Sequence, residues 1–284
     1  MKKIVVLIIV FVLNFLAVCA KTDKMSADYL KNKKHFAIMN PLAENIAEKA
    51  IKKSLKKQTD SDFDINFQGY TFLSMKAGIF KSLDIKGQDV IIETIKIPYI
   101  RIKTLTDYNW IDYKQKPPVI KTAMTYAYEI HLSEESINQA LTNRKYQKTL
   151  EKVNNIAYPF FKLNNVETKL KDNKFYMILG YNFPLAPSKK DKNFIISSKF
   201  KIINHRIKAD DIGINSAYGN IEMSKVANLI NLLDPLSFTL SILDTKKCNG
   251  QIENIKIIDN IIQINGKIYT KELEKTNEQN ITET

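Results

Sequence analysis

The chain has 284 residues, of which 44% are hydrophobic and 26% charged, with only 8 Gly and 8 Pro. That composition excludes a disordered or low-complexity chain and leaves room for one large domain or two small ones. Lys and Arg outnumber Asp and Glu by 43 to 30, a net charge of +13, and two cysteines exclude a disulfide framework, so core packing has to hold the fold.

Residues 1–20 read as a secretory signal. Lys2 and Lys3 precede an apolar run from Ile4 to Leu13, and Val18 and Ala20 occupy the −3 and −1 positions for cleavage before Lys21. Two other readings stay open. Leu16-Ala17-Val18-Cys19 forms a lipobox with an atypical Val before the acylated Cys19. The same run is also an uncleaved anchor, short for a hydrocarbon core of ~30 Å. Either processing route leaves Cys248 unpaired, expected as a small buried hydrophobe. A basic exported protein meets anionic lipid headgroups and cell-wall polymers before it meets nucleic acid. Plain solubility accounts for the charge as well.

Residues 21–40 are polar, basic and aperiodic, a tether. Pro41 opens a helix over 42–57. Its Leu42, Ile46 and Ala50 side is expected on a sheet, and Lys49, Lys52, Lys53, Lys56 and Lys57 crowd the other side as a basic face for a membrane surface. Asp60, Asp62 and Asp64 alternate like the start of a calcium loop, but Ile65 and Thr71 stand where Gly and Glu are needed. The period then becomes alternating, with strands at about 63–68, 79–86, 90–104 and 119–131, and Pro98 marks an edge or bulge. After the loop "KQKPP", Ser133 caps a helix that carries Glu134 and Glu135 in its first turn. A hairpin follows across Asp172-Asn173, then one long alternation over 193–218. A short helix over 223–235 is stopped by Pro235, a last hairpin turns at Asp259-Asn260, and 273–284 form a polar tail. The pattern is α+β, two sets of long antiparallel strands each with an amphipathic helix.

Motifs that carry catalysis are missing: there is no HExxH, GxSxG, P-loop or GxGxxG. The three histidines are scattered, with His35 in the tether, His131 ending a strand and His205 within one. Their spacing builds no metal site. The pairs Glu134-Glu135 and Asp210-Asp211 are explained by a helix start and a surface turn. A hydrolase would have to assemble His131, His205, Glu134 and Asp211 from afar. There is no RNP-like or helix-turn-helix signature, so nucleic acid is not expected as a partner. The expectation is a protein that is not an enzyme, with no catalytic residue, metal or cofactor.

Four stretches resemble one bacterial cell-envelope family, the LmeA-like phospholipid-binding proteins. They are "MKAGIFKSLDIKGQDVIIETIKIPYIRIKTL", "YEIHLSEESINQAL", "KFKIINHRIKADDIGI" and "IENIKIIDNIIQINGKI". One departure is "ESINQAL" in place of a helix start like "DLN", which keeps Asn138 but moves the acid. The resemblance implies a domain over 42–272. Its long curved strands would wrap amphipathic helices around an elongated apolar groove or cavity. The implied function is binding of phospholipid or a related lipid in the periplasm or envelope, for transfer or envelope maintenance.

A ten-residue strand spans about 33 Å, enough to line an acyl chain in a leaflet about 15 Å deep. Burying about twelve methylenes offers roughly 10 kcal/mol before the costs of binding. The lining is expected on Ile95, Ile97 and Tyr99 of one strand and Phe200 and Ile202 of another. Trp110 and Tyr113 belong at the mouth, where amphipathic rings suit a lipid–water boundary. A closed core is the simpler reading of any single Ile. The alternative function is an adaptor that binds a protein partner by pairing at a sheet edge.

Overall fold

The computed structural model describes residues 40–59, 61–92, 95–112, 119–157, 162–185, 192–216 and 248–270, together with Leu233 and Leu236. The expected signal, tether, polar tail and most of the 223–235 helix lie outside these residues, as do Cys19, His35 and Tyr113.

Helix α1 (Asn40–Thr59) precedes β1 (Phe63–Gln68), the short α2 (Phe72–Lys76), β2 (Ile79–Phe80), β3 (Ser82–Ile92), β4 (Ile95–Thr104), β5 (Asn109–Asp112), β6 (Val119–Ile120) and β7 (Thr125–Leu132). Helices α3 (Glu134–Leu141) and α4 (Arg144–Ala157) follow, then β8 (Lys162–Lys171), β9 (Lys174–Asn182), β10 (Lys192–Ile203), β11 (Arg206–Ser216), β12 (Cys248–Ile258) and β13 (Ile261–Thr270). The fold is α+β, mostly antiparallel sheet with few helices. One sheet runs β1-β3-β4-β7-β13-β12, a second β11-β10-β9-β8, and β2, β5 and β6 form a small third. The buried faces of the first two merge into one core.

Turn chemistry sets the hairpins. Asp172-Asn173 and Asp259-Asn260 have positive φ at both positions, which suits two-residue loops because Asn and Asp tolerate the left-handed region. Asn204-His205 does the same, with φ of 52° and 59°. The expected single alternation over 193–218 is therefore two strands, and His205 is a turn residue rather than a strand residue. Asp210-Asp211 corrects the other way. The pair lies inside β11, where Asp211 at φ 50° sits at a register shift against β10.

Helix α1 corrects a face. Ala47, Ala50, Ile51, Ser54 and Leu55 are buried, whereas Leu42 is 63% and Ile46 59% exposed. The stripe i, i+4, i+7, i+11 through Leu42, Ile46, Lys49 and Lys53 faces out. The expected face took Leu42 and Ile46 as core because they are apolar. Of the expected face only Ala50 is buried, and the helix turns Ala47, Ile51, Ser54 and Leu55 inward with it. Its Glu48 and Glu44 carboxylates accept from the backbone N–H of Phe67 and Gly69, each at 2.9 Å. Phe67 lies on the outer edge of β1 and Gly69 follows its end, so α1 also covers that edge.

Helix α3 joins the two large sheets by side-chain hydrogen bonds. Ser136 Oγ donates to Lys96 O at 2.5 Å, and Lys96 N–H donates to Gln139 Oε1 at 2.7 Å. These contacts take over the backbone of β4 where β7 has ended. On the other side Asn138 Nδ2 donates to Thr168 O at 2.9 Å, and Thr168 N–H and Oγ1 donate to Asn138 Oδ1 at 2.8 and 3.0 Å. Leu170 N–H donates to Glu134 Oε2 at 2.9 Å. Ser133 and Ser136 form the capping box that starts the helix.

Candidate functional site

The inner face of the first sheet is a near-continuous apolar wall. Ile95, Ile97, Ile100 and Ile102 of β4 are each 2–3% exposed, beside Leu83, Ile85 and Val90 of β3 and Tyr126, Tyr128 and Ile130 of β7. A phase change makes this possible. Gln88 and Asp89 are both exposed, Asp89 has φ 48°, and opposite them Pro98 and Tyr99 are both half-buried. Both strands carry one extra residue at the same level, so the apolar beat resumes on the inner face. Gly87 permits it: a Cβ there would lie 2.4 Å from Val90 Cγ2 and 2.8 Å from Phe63 Cε1.

Of the expected lining, Ile95 and Ile97 thus share a face, but Tyr99 does not share it. Tyr99 sits on the outer face, its ring 4.8 Å from that of His131. Burial, and secondarily the charge of Glu129, pushes its phenol above the ordinary range. Around it lie the 2.8 Å contact of His131 Nε2 with Glu129 and the two-pronged contact of Arg101 with Asp84. The Arg101 hydrogen bonds hold the Asp84 carboxyl below its usual range. This face is polar and ion-paired.

In the second sheet Phe200 and Ile202 are half-buried on the same side of β10. The Phe200 ring lies 5.1 Å from that of Phe175, and Phe194 stacks on Tyr181 at 4.1 Å. The closest tie between the two sheets along this side runs from Ile252 N–H to His205 O, 3.3 Å. Phe194, Phe200 and Ile212 of the second sheet and Ile252, Ile255 and Ile257 of β12 pack on the core yet remain only partly covered. Sequence reasoning places β12 in the last hairpin but not in the expected lining, because alternation reports which side a residue faces and not how well that side is covered. Register shifts at Ser197/Lys199 and Ile252/Asn254 mark the same region, and bulges bend strands.

Two tyrosine hydroxyls sit within the wall, and that of Tyr126 donates to Met124 Sδ at 3.3 Å. Tyr128 is 3% exposed and its hydroxyl has no hydrogen-bond partner among the described residues. Its cross-strand neighbour is Gly266, where a Cβ would lie 2.6 Å from that hydroxyl and 2.1 Å from Gln251 O. Burial pushes the Tyr128 phenol well up, so it stays a neutral donor.

Trp110 is half-buried in a small separate cluster with Tyr70, Ile79, Ala77 and Tyr108. It lies apart from Phe200, which packs on the main core. The five lysines of α1 are exposed, and Lys52 and Lys56 approach Asp62 at 4.0 and 3.4 Å. The residues named for a hydrolase lie on different elements. His131 pairs with Glu129, Glu134 caps β8, Asp211 meets Lys199 at 2.9 Å and His205 makes a turn. No cluster of three metal-ligating side chains occurs among the described residues. No helix among them is long and apolar enough to cross a membrane.

Compared with known proteins, the chain matches no family model, no curated protein and no solved structure.

Proposed function

We propose that this is an exported cell-envelope protein that binds phospholipid or a related lipid against the apolar faces of its two large sheets. Its role would be lipid transfer or envelope maintenance rather than catalysis. The observation that carries the reading is that Phe194, Phe200 and Ile212 of the second sheet and Ile252, Ile255 and Ile257 of β12 pack on the core yet stay partly covered; in this proposal they form one lipid-holding seam. A monomer that needed only a core would gain by closing such a strip, since each fully buried Ile or Phe is worth ~1.5–3 kcal/mol. An acyl chain supplies the missing cover with no polar motif. The orphaned Tyr128 hydroxyl supports the same reading, because a lipid ester oxygen gives such a donor a partner. Kinship with the LmeA-like proteins is part of the proposal. Three of the four stretches that carry the resemblance run through neighbouring strands of one sheet, β3-β4-β7-β13-β12.

Strand addition to a protein partner is the weaker alternative. The outer edge of β1 is capped by Glu44 and Glu48, and that of β8 by Asn138, Glu134 and Asn154. Organic extraction of the purified protein followed by mass spectrometry tests the proposal. About one lipid per chain is expected. A protein that is empty and takes up no phospholipid from vesicles would overturn it.

A further inference from the structure

We infer that the end of the molecule formed by the first turns of α1, by α2 and by the loop after β4 is a membrane-docking tip. It sinks apolar side chains into an anionic bilayer surface. The inference rests on the lipid-binding reading and extends it from the lipid held to the surface it comes from.

Ten large hydrophobic side chains stand exposed among the described residues, and five of them gather here: Leu42 and Ile46 of α1, Phe72 and Leu73 of α2, and Leu105. Their exposures run from 43% for Phe72 to 63% for Leu42. Hydrogen bonds bring these elements together. Asn40 Nδ2 donates to Tyr70 O at 2.9 Å, which sets the start of α1 beside the turn that opens α2. Tyr70 in turn donates its hydroxyl to Asp107 O, in the loop that Leu105 begins. The Thr71–Ser74 capping box fixes α2 and leaves Phe72 and Leu73 pointing out. Scattered exposed hydrophobes need no explanation, but a gathered set marks an interaction surface.

Two further features choose a bilayer over a protein. Half-buried Tyr108 and Trp110 flank the tip, packed on Tyr70 and Ile79. Aromatic rings with one polar end suit the headgroup level. The exposed stripe of α1 then changes character along its length, from Leu42 and Ile46 to Lys49 and Lys53, with Lys76 and Lys81 on the α2 side. That is the pattern of a helix lying in an interface, its apolar part under the headgroups and its ammonium groups among the phosphates. Glu44, the nearest carboxylate on α1, is engaged by Gly69 N–H, which leaves Asp107 as the exposed acid at this end.

The test uses the full chain, so that residues 1–39 contribute equally to every variant. Vesicles of phosphatidylethanolamine with phosphatidylglycerol, and of phosphatidylcholine alone, are mixed with wild type and with Leu42→Gln/Ile46→Gln/Phe72→Ser/Leu73→Gln. A control carries Ile91→Gln/Ile195→Gln/Ile203→Gln, exposed apolar positions elsewhere. The tip variant is expected to lose at least tenfold in partition onto anionic vesicles, and the control less than twofold. Hydrogen exchange is expected to slow in α1 and α2 when anionic vesicles are added to wild type and not to the tip variant. Equal loss in tip and control variants, or slowing that is as large on phosphatidylcholine, overturns the inference. So does protection of the tip without vesicles that vanishes when residues 4–13 are deleted, which would make this chain's own apolar run the occupant. A protein that carries lipid but leaves the tip unprotected sinks the docking tip alone. A protein that docks by the tip but yields no lipid sinks the lipid-holding reading alone.

Discussion

Arg101 grips Asp84 with two N–H···O contacts, Nε to Oδ1 at 2.9 Å and Nη2 to Oδ2 at 2.6 Å. The pair spans β3 and β4 on the outer face, with the Asp84 side chain 19% and the Arg101 side chain 36% exposed. Because the folded carboxyl titrates below its usual value, its stabilisation is present above the unfolded pKa and is lost as pH falls through the folded one. Asp84→Asn is therefore expected to cost about 1 kcal/mol at pH 7, after allowance for solvent screening. At pH 2 the two proteins should converge, as urea midpoints at the two pH values will show. A second residue-scale prediction concerns His205, whose φ of 59° costs a residue with a Cβ about 1–2 kcal/mol. Its ring is exposed and its backbone carbonyl makes the contact with Ile252. His205→Gly should keep that contact and raise the urea midpoint by the equivalent of up to ~1 kcal/mol, because the strain relieved exceeds the added chain entropy. A fall in the midpoint would mean the imidazole does something its exposure does not reveal.

Helix α3 shows how one element is read and misread. Its start was legible: Ser133 caps it and the acids fill its first turn. Its task was not, because nothing in "ESINQAL" says that Asn138 will hold both backbone groups of Thr168, thirty residues on. Periodicity reports a segment's faces, and neighbours are set by chain reversals that local sequence does not encode. Asn138→Ala is expected to leave a fully buried Thr168 N–H without its acceptor and to cost about 2–4 kcal/mol. Glu135→Ala, on the exposed side of the same helix, should stay within about 0.5 kcal/mol. Denaturation midpoints of the two variants test the clamp. A cost for Asn138→Ala no larger than for Glu135→Ala would mean the sheets are held by packing alone. The same limit explains α1 and the long alternation over 193–218. Hairpins signalled by Asp-Asn could be placed to the residue, whereas Asn-His carries half the usual signal and was passed over. On α1, hydrophobicity points Leu42 and Ile46 inward, whereas the buried stripe runs through Ala47, Ala50, Ile51, Ser54 and Leu55.

At the scale of the whole molecule the question is whether the apolar interior is a closed core or a lined site, and the two readings part at the half-covered side chains. Ile97 is 3% exposed on the wall. Ile97→Arg would bury an unpaired charge and is expected to unfold the protein, so it tests packing and not ligand binding. Phe200 and Ile255 are only half-covered and stand on the two sides of the seam. Phe200→Asp and Ile255→Asp can turn their carboxylates toward water, at a cost of about 1–2 kcal/mol in stability. If lipid fills the seam, each should cut the phospholipid recovered by extraction at least fivefold while the circular dichroism spectrum is unchanged. Trp110, the single tryptophan, gives an independent readout. It sits in the cluster beside the docking tip, so vesicles should blue-shift its emission in both seam variants as in wild type. Loss of bound lipid with the Trp110 shift retained assigns holding to the seam and docking to the tip. Full lipid recovery in both folded seam variants would mean that those half-covered side chains are merely the rim of a closed core.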